Sequence, residues 1–258
     1  LELEGKASNI KDEPLLVYTM DGNGDNTNGT VSIGQPGEKL KVISRSSNFN
    51  LGRMYRYATL MLGMRPADHE YKLMGLAAYN SDKFGKEAFE IYARTLQNDG
   101  FGFKYQSKVK DHFFHFKNAL EGQRFDAIAY GIQKYAEHLL TQWVAYGVAE
   151  TGIGNVVMSG GVAQNIKANK LISEMSGVDQ LFIPPGPGDE SIAIGAAYLA
   201  ILSGESKVNK IASVGHGYFG PSFSDEDVVS AISDYDNPSW TVSMTDSTEV
   251  AELLADGK

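Results

Sequence analysis

The sequence predicts an α/β fold in which a three-strand antiparallel meander is followed by alternating helices and strands. Three observations support this prediction: short apolar runs separated by tight turns at the start, one long helical repeat in the middle, and two strand–glycine turn–helix units after it. Glycine turns of this kind let a ligand approach the backbone and face the N–H groups at the start of a helix. Such units in succession indicate a nucleotide-binding cleft.

The predicted meander covers residues 15–44 and follows a polar tail at residues 1–13. The apolar run Leu15–Met20 predicts a buried strand, and it ends in the turn sequence Asp-Gly-Asn-Gly-Asp. Residues 30–33 and 40–44 are two further predicted strands on either side of a Gln-Pro-Gly-Glu turn. Because short strands joined by tight turns pair with their neighbours, we expect antiparallel pairing.

Helical patterns occupy the middle of the chain. Asn50 is a predicted N-cap for a helix that stops at Gly63, and a second short helix is expected over residues 69–79. Residues 80–122 are less regular and rich in aromatic residues and lysines, and we interpret them as an inserted lobe rather than core. Apolar residues recur at helical spacing across Phe125–Thr151, which predicts a long helix ended by glycines.

Strands and helices alternate in the next part of the chain. Strands are predicted at residues 155–158 and 180–183, and helices at residues 164–175 and 191–202. The complete order is that of an RNase H-like half of the actin/Hsp70/sugar-kinase (ASKHA) architecture. In that architecture the nucleotide cleft lies between two such halves, so the sequence predicts that one half is present here.

The composition excludes several classes of function. The 258 residues are 42% hydrophobic with a net charge of −9, which argues against a nucleic-acid surface. No apolar run is long enough to span a bilayer, and we expect a cytoplasmic protein without membrane or nucleic-acid partners. Cysteine is absent, so any metal must be bound by Asp, Glu, His or Tyr. The chain begins with Leu rather than Met, and we expect it to be a piece of a longer polypeptide.

Candidate ligand-binding residues follow the predicted strands. Gly160 and Gly161 come after the strand at residues 155–158 and either permit a tight turn only or let an adenosine lie against the backbone. Asn165 offers both a donor and an acceptor to a ribose or a phosphate. These residues place one side of the predicted cleft after this strand.

The turn after the first strand carries Asp21, Gly22, Gly24 and Asp25. Asp-Gly is common in β-hairpin turns, and this chemistry alone would explain the glycines. Acids at a strand end also hold Mg²⁺ or a hydroxyl in phosphotransfer folds, which makes Asp21 a candidate catalytic residue. Both interpretations of Asp21 stay open from the residues alone.

The second short helix carries Glu70, Lys72 and Gly75 among apolar residues. Lysines are usually solvated, but the apolar neighbours suggest a buried segment in which the Lys72 ammonium would stabilise charge on a phosphate. Arg53, beside Gly52, is a similar candidate because its guanidinium can bind phosphate in bidentate geometry.

Two features could contribute metal ligands. Asp189 opens a helix after a Pro/Gly-rich turn and is either a helix cap or a hard oxygen ligand for a divalent metal. His112 and His115 form a close pair that could share a helix face, but they lie in the aromatic stretch at residues 80–122. We assign the two histidines a structural or surface role.

Five short stretches, in order along roughly residues 15–204, carry a family resemblance. They are Met-Asp-Gly-Asn-Gly-Asp at 20–25, Asn-Leu-Gly-Arg-Met-Tyr at 50–55, Glu-Tyr-Lys-Leu-Met-Gly-Leu-Ala-Ala-Tyr at 70–79, Ser-Gly-Gly-Val-Ala-Gln-Asn at 159–165 and Gly-Asp-Glu-Ser at 188–191. Together they resemble the NodU-type O-carbamoyltransferases, which carbamoylate antibiotics and nodulation factors. The third stretch is the most specific of the five.

The resemblance implies an enzyme that uses ATP and carbamoyl phosphate to make carbamoyl adenylate, and then transfers the carbamoyl group to the hydroxyl of a small acceptor. It implies catalytic roles for Asp21 and Lys72. It also implies that Asp189 binds a divalent metal of the Fe or Mg class, completed by two histidines that the family carries upstream of the first strand. The residues expected to bind carbamoyl adenylate are Gly22, Gly24, Gly52, Arg53, Glu70, Gly75, Gly160, Gly161 and Asn165.

The resemblance also implies a domain organisation. Residues 14–205 would be the C-terminal half of an actin-like transfer domain, with residues 80–122 as the inserted lobe. Residues 206–258 would connect to an adenylate-forming domain, and the fragment alone would be inactive. The expected partners are the remaining domains of the polypeptide, and a homodimer is a further expectation. A sugar or acid kinase and a non-catalytic nucleotide-binding module stay open as alternatives, because one fold hosts many functions.

Overall fold

The computed structural model describes residues 13–22, 24, 26–35, 38–106, 109–204, 217–218, 220–233, 239, 243 and 245–257. The chain divides into two compact units, residues 1–215 and residues 216–258. The described part of the first unit contains the strands β1 (Leu15–Met20), β2 (Gly29–Gly34), β3 (Lys41–Ser46), β4 (Leu96–Asp99), β5 (Gly102–Tyr105), β6 (Asn155–Ser159) and β7 (Gln180–Phe182). Its helices are α1 (Leu51–Met61), α2 (Glu70–Leu76), α3 (Asp82–Ala93), α4 (His112–Ala119), α5 (Phe125–Thr151), α6 (Ile166–Ser173) and α7 (Ile192–Leu202).

Five strands form the main sheet in the order β3-β2-β1-β6-β7. β1 pairs antiparallel with β2 and parallel with β6, so that Tyr18 lies between Val31 and Met158. Alternate residues of β1 are buried, which follows from the period of two along a strand. The predicted α/β fold, with a meander followed by alternating helices and strands, is confirmed. Because β1 and β6 are parallel neighbours, the turns that follow them meet at one edge of the sheet.

Helix α5 packs its apolar side chains into the core against this sheet. The 27 residues of α5 end at Gly152, whose φ of 68° is a left-handed conformation that favours glycine. The ring of Trp143 is fully buried and contacts the rings of Tyr18, Phe49 and Phe103. The predicted helix is confirmed at both of its ends, and it carries polar residues of the site described below.

Residues 80–122 are regular, contrary to the expectation of an irregular stretch outside the core. They form α3, the hairpin β4–β5 and α4, and their side chains Tyr92, Leu96 and Phe116 are fully buried in the same apolar cluster as α5. Crowded aromatic residues obscured the helical period, because a buried helix need not alternate with polar residues. Whether these residues are an insertion stays a prediction.

Asn50 and Gly63 lie at the two ends of α1, as predicted, but Asn50 does not cap the helix with its side chain. Asn50 occupies the N-cap position of α1, yet its side chain makes no capping bond and instead donates to the carbonyl of Asn48 and the hydroxyl of Tyr105. Gly63 follows α1 with a φ of 74°, as expected for a helix end. The amide of Asn50 therefore joins the start of α1 to the hairpin β4–β5.

The second unit contains two described helices, α8 (Asp225–Ser233) and α9 (Ser247–Ala255). Asp246 caps α9 by accepting hydrogen bonds from the N–H groups of Thr248 and Glu249. Among all the described residues, none lies in a helix that is both long and apolar enough to cross a membrane.

Candidate functional site

A cleft of about 400 Å³ lies at the edge of the sheet where β1 and β6 end. This volume is within the range of small-molecule sites in proteins, about 300–1,000 Å³. Its walls come from the turn after β1, the first turns of α1 and α2, the turn after β6, and the loop before α7. The described residues that line it are Asp21, Gly22, Leu51, Gly52, Tyr55, Arg56, Ala67, Glu70, Tyr71, Met74, Ala136, Gly161, Val162, Gln164, Asn165, Gly188, Asp189 and Glu190.

Close backbone contacts hold the two sides of the cleft together. A Cβ at Gly52 would lie 2.9 Å from the Cα of Gly22, so that the turn after β1 and the start of α1 touch backbone to backbone. Gly160 has a φ of 102°, and a Cβ there would overlap the carbonyl oxygen of Met20. The N–H of Gly160 donates to the carbonyl of Pro187 at 2.7 Å, which ties the turn after β6 to the loop before α7. Gly160 does not line the cleft. Its close contact with Met20 explains why this position holds a glycine.

Asp21 is half-buried at the end of β1 and faces Gly161. One carboxylate oxygen, Oδ1, accepts a hydrogen bond from the N–H of Gly22 at 2.6 Å. A Cβ built on Gly161 would lie 3.5 Å from the same oxygen, which places the turns after β1 and β6 on opposite sides of a narrow gap. Gly24 is exposed and does not line the cleft, and Asp25 lies outside the described residues. Asp21 is therefore the acid that the first turn brings to the cleft.

A network of side-chain amides, the buried Gln133 and the half-buried Asn165, supports the cleft from the side of α5. The hydroxyl of Tyr55 donates to Oε1 of Gln133 at 2.8 Å, and Nε2 of Gln133 donates to Oε1 of Glu137 at 3.0 Å. The side chains of Gln133 and Asn165 exchange two hydrogen bonds, at 3.0 and 3.1 Å. Asn165 also caps α6 by accepting from the N–H of Ala168. Inside the protein, Oδ1 of Asn165 thus accepts two hydrogen bonds and Nδ2 donates one of its two N–H groups. A role for Asn165 in binding a ligand stays a prediction.

The hydroxyl of Tyr55 is held in its protonated form. Burial raises the pKa of Tyr55 far above its ordinary value, and the nearby carboxylates of Glu137 and Glu70 raise that pKa further. Lys134 binds the second oxygen of Glu137 at 3.0 Å, so this buried carboxylate has a cationic partner. Tyr55 therefore acts as a hydrogen-bond donor across the neutral pH range.

Helix α2 contributes one of its three candidate residues to the cleft. Glu70 lines the cleft and accepts a hydrogen bond from the N–H of Ala67 at 2.8 Å. Lys72 is exposed, outside the cleft lining, with its Nζ 3.1 Å from Nε2 of His69, so the expectation of a buried segment is wrong at this residue. Residues two apart on a helix do not share a face, which explains why Glu70 and Lys72 point in different directions. Gly75 is exposed, with open space around the position of a Cβ.

Helix α1 brings Arg56 to the cleft rather than Arg53. Arg53 is half-buried and is not part of the lining, whereas Tyr55 and Arg56 are. Residues three and four after Gly52 lie on the same helical face as Gly52, since a helix turns every 3.6 residues. That spacing could have identified Arg56 from the sequence, whereas adjacency to Gly52 favoured the wrong arginine for this wall.

Asp189 is exposed at the mouth of the cleft, in the short 3-10 turn Asp189–Ser191 that precedes α7. The carboxylate that accepts the loop's backbone N–H belongs to Glu190, which binds Gly188 at 3.1 Å. Within the described ranges, no three side chains of His, Cys, Asp or Glu are grouped closely enough to hold a metal ion. The donors present therefore do not fit a metal by themselves, and we derive no chemical step through one.

Comparison with known proteins points to one family. Residues 8–198 match the family model described as the carbamoyltransferase N-terminus. An uncharacterized protein of Methanocaldococcus jannaschii, MJ1051, is 28% identical over 83% of this chain and 41% of its own length. The nodulation protein NolNO of Sinorhizobium fredii is 26% identical over 72% of this chain and 28% of its own length. Nodulation protein U of Rhizobium fredii is 34% identical over 42% of this chain and 16% of its own length.

The chain spans less than half the length of these relatives. Among solved structures, component A of the (R)-2-hydroxyglutaryl-CoA dehydratase of Acidaminococcus fermentans is similar to 66% of this chain and 55% of its own, with 16% identity and a TM-score of 0.36.

Proposed function

The chain belongs to the carbamoyltransferase family, and we propose that its cleft is where a carbamoyl group passes from carbamoyl adenylate to a hydroxyl of a small acceptor. The observation that carries this proposal is that the turns after β1 and β6 face each other across a cleft of about 400 Å³. All five stretches that resemble NodU-type O-carbamoyltransferases contribute residues to the lining of this cleft. The stretches at 20–25, 159–165 and 188–191 supply the three turns, and those at 50–55 and 70–79 supply residues of α1 and α2. ATP and carbamoyl phosphate would supply the adenylate.

We further propose that this fold is the C-terminal, RNase H-like half of an ASKHA transfer domain. The strand order β3-β2-β1-β6-β7, with three antiparallel strands followed by two parallel ones, supports this assignment. The cleft is open at the sheet edge, where ligands of α/β proteins bind. In this proposal the remaining domains of a longer polypeptide close the cleft and make the adenylate.

The proposed transfer step balances without an added oxidant or reductant. The acceptor's hydroxyl oxygen forms a bond to the carbamoyl carbon, and the bond between that carbon and the phosphate oxygen of the adenylate breaks. AMP leaves with the bonding electrons, and the hydroxyl proton must be taken up. Asp21 is the group we assign to receive or position this proton, because its carboxylate is at the end of β1 and held by only one backbone N–H among its described contacts.

The other cleft residues would bind and orient. Gly161 is exposed at the cleft, so a ligand can approach its backbone without a side chain in the way. Asn165 keeps a fixed orientation because Gln133 holds its amide, and in this proposal it shapes the cleft wall rather than offering a free amide. A metal of the Fe or Mg class, if bound at Asp189, needs further ligands, such as the two histidines that the resemblance places outside this chain.

The experiment uses the chain extended by its native flanks, incubated with ATP and carbamoyl phosphate, with nucleotide products separated by chromatography. We expect AMP and pyrophosphate to form only when carbamoyl phosphate is present. Formation of ADP with a sugar acceptor and without carbamoyl phosphate would support a kinase instead, and nucleotide binding without turnover would support a non-catalytic module.

A variant pair tests the assignment of Asp21. We expect Asp21→Asn to slow carbamoyl transfer by about 10²–10⁴-fold, the usual contribution of a proton-accepting group. Asp99→Asn is the matched control, because Asp99 is exposed, lies outside the cleft lining and pairs with Lys104. Full transfer activity in Asp21→Asn would overturn the role of Asp21 and leave the family assignment intact.

A further inference from the structure

The charges that line the cleft are unbalanced. Among its described residues, the carboxylates are those of Asp21, Glu70, Asp189 and Glu190, and the single cationic side chain is that of Arg56. A cleft lined mainly by acids repels an anionic ligand unless a cation is placed where the ligand's charge will lie. Among the described lining residues, Arg56 is therefore the one whose side-chain charge attracts an anion.

Arg56 is not engaged in an ion pair with the acids around it. The exposed side chains of Arg65, Arg94 and Arg124 each pair with a carboxylate at 2.7–2.8 Å. By contrast, Arg56 has no carboxylate partner within 4.0 Å among the described residues, although it shares the cleft with four acids. Its guanidinium is exposed and its donors are open to a ligand.

The backbone fixes where the Arg56 side chain starts. Gly52 packs against Gly22, and this contact sets the rotation of the first turn of α1 against the turn that carries Asp21. Tyr55, on the same helical face, is locked by its hydrogen bond to Gln133. With both neighbours on this face held, Arg56 projects from a rigid helix into the cleft, and rigid supports reduce the entropy lost on binding.

We propose that Arg56 binds the phosphate of the nucleotide in this cleft, which deepens the proposed function and rests on it. A guanidinium presents parallel N–H donors that match two phosphate oxygens, whereas an ammonium acts as a point charge. Adenosine has the same base and ribose as AMP and lacks only the phosphate. The difference in affinity between AMP and adenosine therefore measures what the phosphate contributes to binding, and its change in an Arg56 variant measures the part that Arg56 supplies.

The test measures the binding of AMP and of adenosine by calorimetry in EDTA, so that no divalent metal carries the phosphate. We expect the wild-type protein to bind AMP more tightly than adenosine. Arg56→Ala should weaken AMP binding about 10–100-fold and leave adenosine binding unchanged, while Arg56→Lys should lose part of the AMP affinity. Arg94→Ala is the matched control and should bind both ligands as the wild type does.

Three results would overturn the assignment: no preference for AMP in the wild-type protein, an unchanged preference in Arg56→Ala, or an equal loss of AMP affinity in Arg94→Ala. The last would mean that the overall charge, not the position of Arg56, matters. AMP formation that depends on carbamoyl phosphate is measured separately in the extended chain. If that turnover persists while the AMP preference fails, only the role of Arg56 is refuted; if the turnover is absent, the proposed function is refuted.

Discussion

Replacing Gln133 by Leu removes the centre of the amide network behind the cleft. The Gln133 side chain is 2% exposed, and it makes four hydrogen bonds, one to Tyr55, one to Glu137 and two to Asn165. Leucine fills a similar volume but offers no partner to these groups. The hydroxyl of Tyr55 and one oxygen of Glu137 are then buried without a hydrogen bond.

The expected cost follows from the two groups that lose their partners. An unsatisfied buried polar group costs about 1–3 kcal/mol, so Gln133→Leu should lower the free energy of unfolding by about 2–6 kcal/mol. Tyr55→Phe alone removes one hydrogen bond and leaves Gln133 bonded to Asn165, and it should cost about 1 kcal/mol. In the Gln133→Leu background, Tyr55→Phe should instead cost nothing or restore stability, because it removes a hydroxyl that has no partner.

Urea unfolding of the four proteins in this cycle measures the effect, with stability extrapolated linearly to water. The reasoning fails if Gln133→Leu lies within about 0.5 kcal/mol of the wild type, the range of an ordinary surface substitution. It also fails if the costs of Gln133→Leu and Tyr55→Phe simply add, since additivity means that the two side chains do not depend on each other.

Three further outcomes are expected from other residues. Gly160→Ala should lower the free energy of unfolding by at least about 3 kcal/mol in urea, because the new methyl group would overlap the carbonyl of Met20. Gly75→Ala, in open space on α2, should raise the stability by roughly 0.5–1 kcal/mol in the same assay; a loss would contradict the placement of Gly75. Burial of the His112 ring, and next the charge of Arg53, lowers the pKa of His112 below its ordinary 6.5. The neutral His112 ring therefore contributes its full stability to the fold above pH 6.5, and this stability is lost as the pH falls through the lowered pKa. The urea midpoint of His112→Phe should fall less than that of the wild type between pH 7.5 and 5.5.

Much of the fold could be predicted from local signals. The strand Leu15–Met20 and the helix Phe125–Thr151 agree with the prediction at both ends, because an apolar run and a helical period are properties of neighbouring residues. The helices within residues 80–122 are harder to predict, because aromatic residues on several sides of a short helix hide its period. Their burial against α5 comes from packing between distant segments, which local patterns do not contain.

The candidate site was predicted less completely than the fold. Glycine turns and strand ends led to Asp21, Gly161 and Asp189, and all three lie in the lining of one cleft, while their roles stay predictions. The sequence could not show that Gln133, 32 residues before Asn165, holds the Asn165 amide in place by two hydrogen bonds. Nor did it show that Lys72 is exposed, because apolar neighbours in the sequence need not surround a residue in the fold.

By itself the sequence determined the order of the elements, the glycine turns at the ends of β1 and β6, and the resemblance to a carbamoyltransferase. These depend on residue type and on spacing along the chain. Only the tertiary structure decided that α1 presents Arg56 to the cleft, and that Asn165 is held by Gln133. The physical reason is that the rotation of a helix against its neighbours is set by long-range packing, here the contact of Gly52 with Gly22.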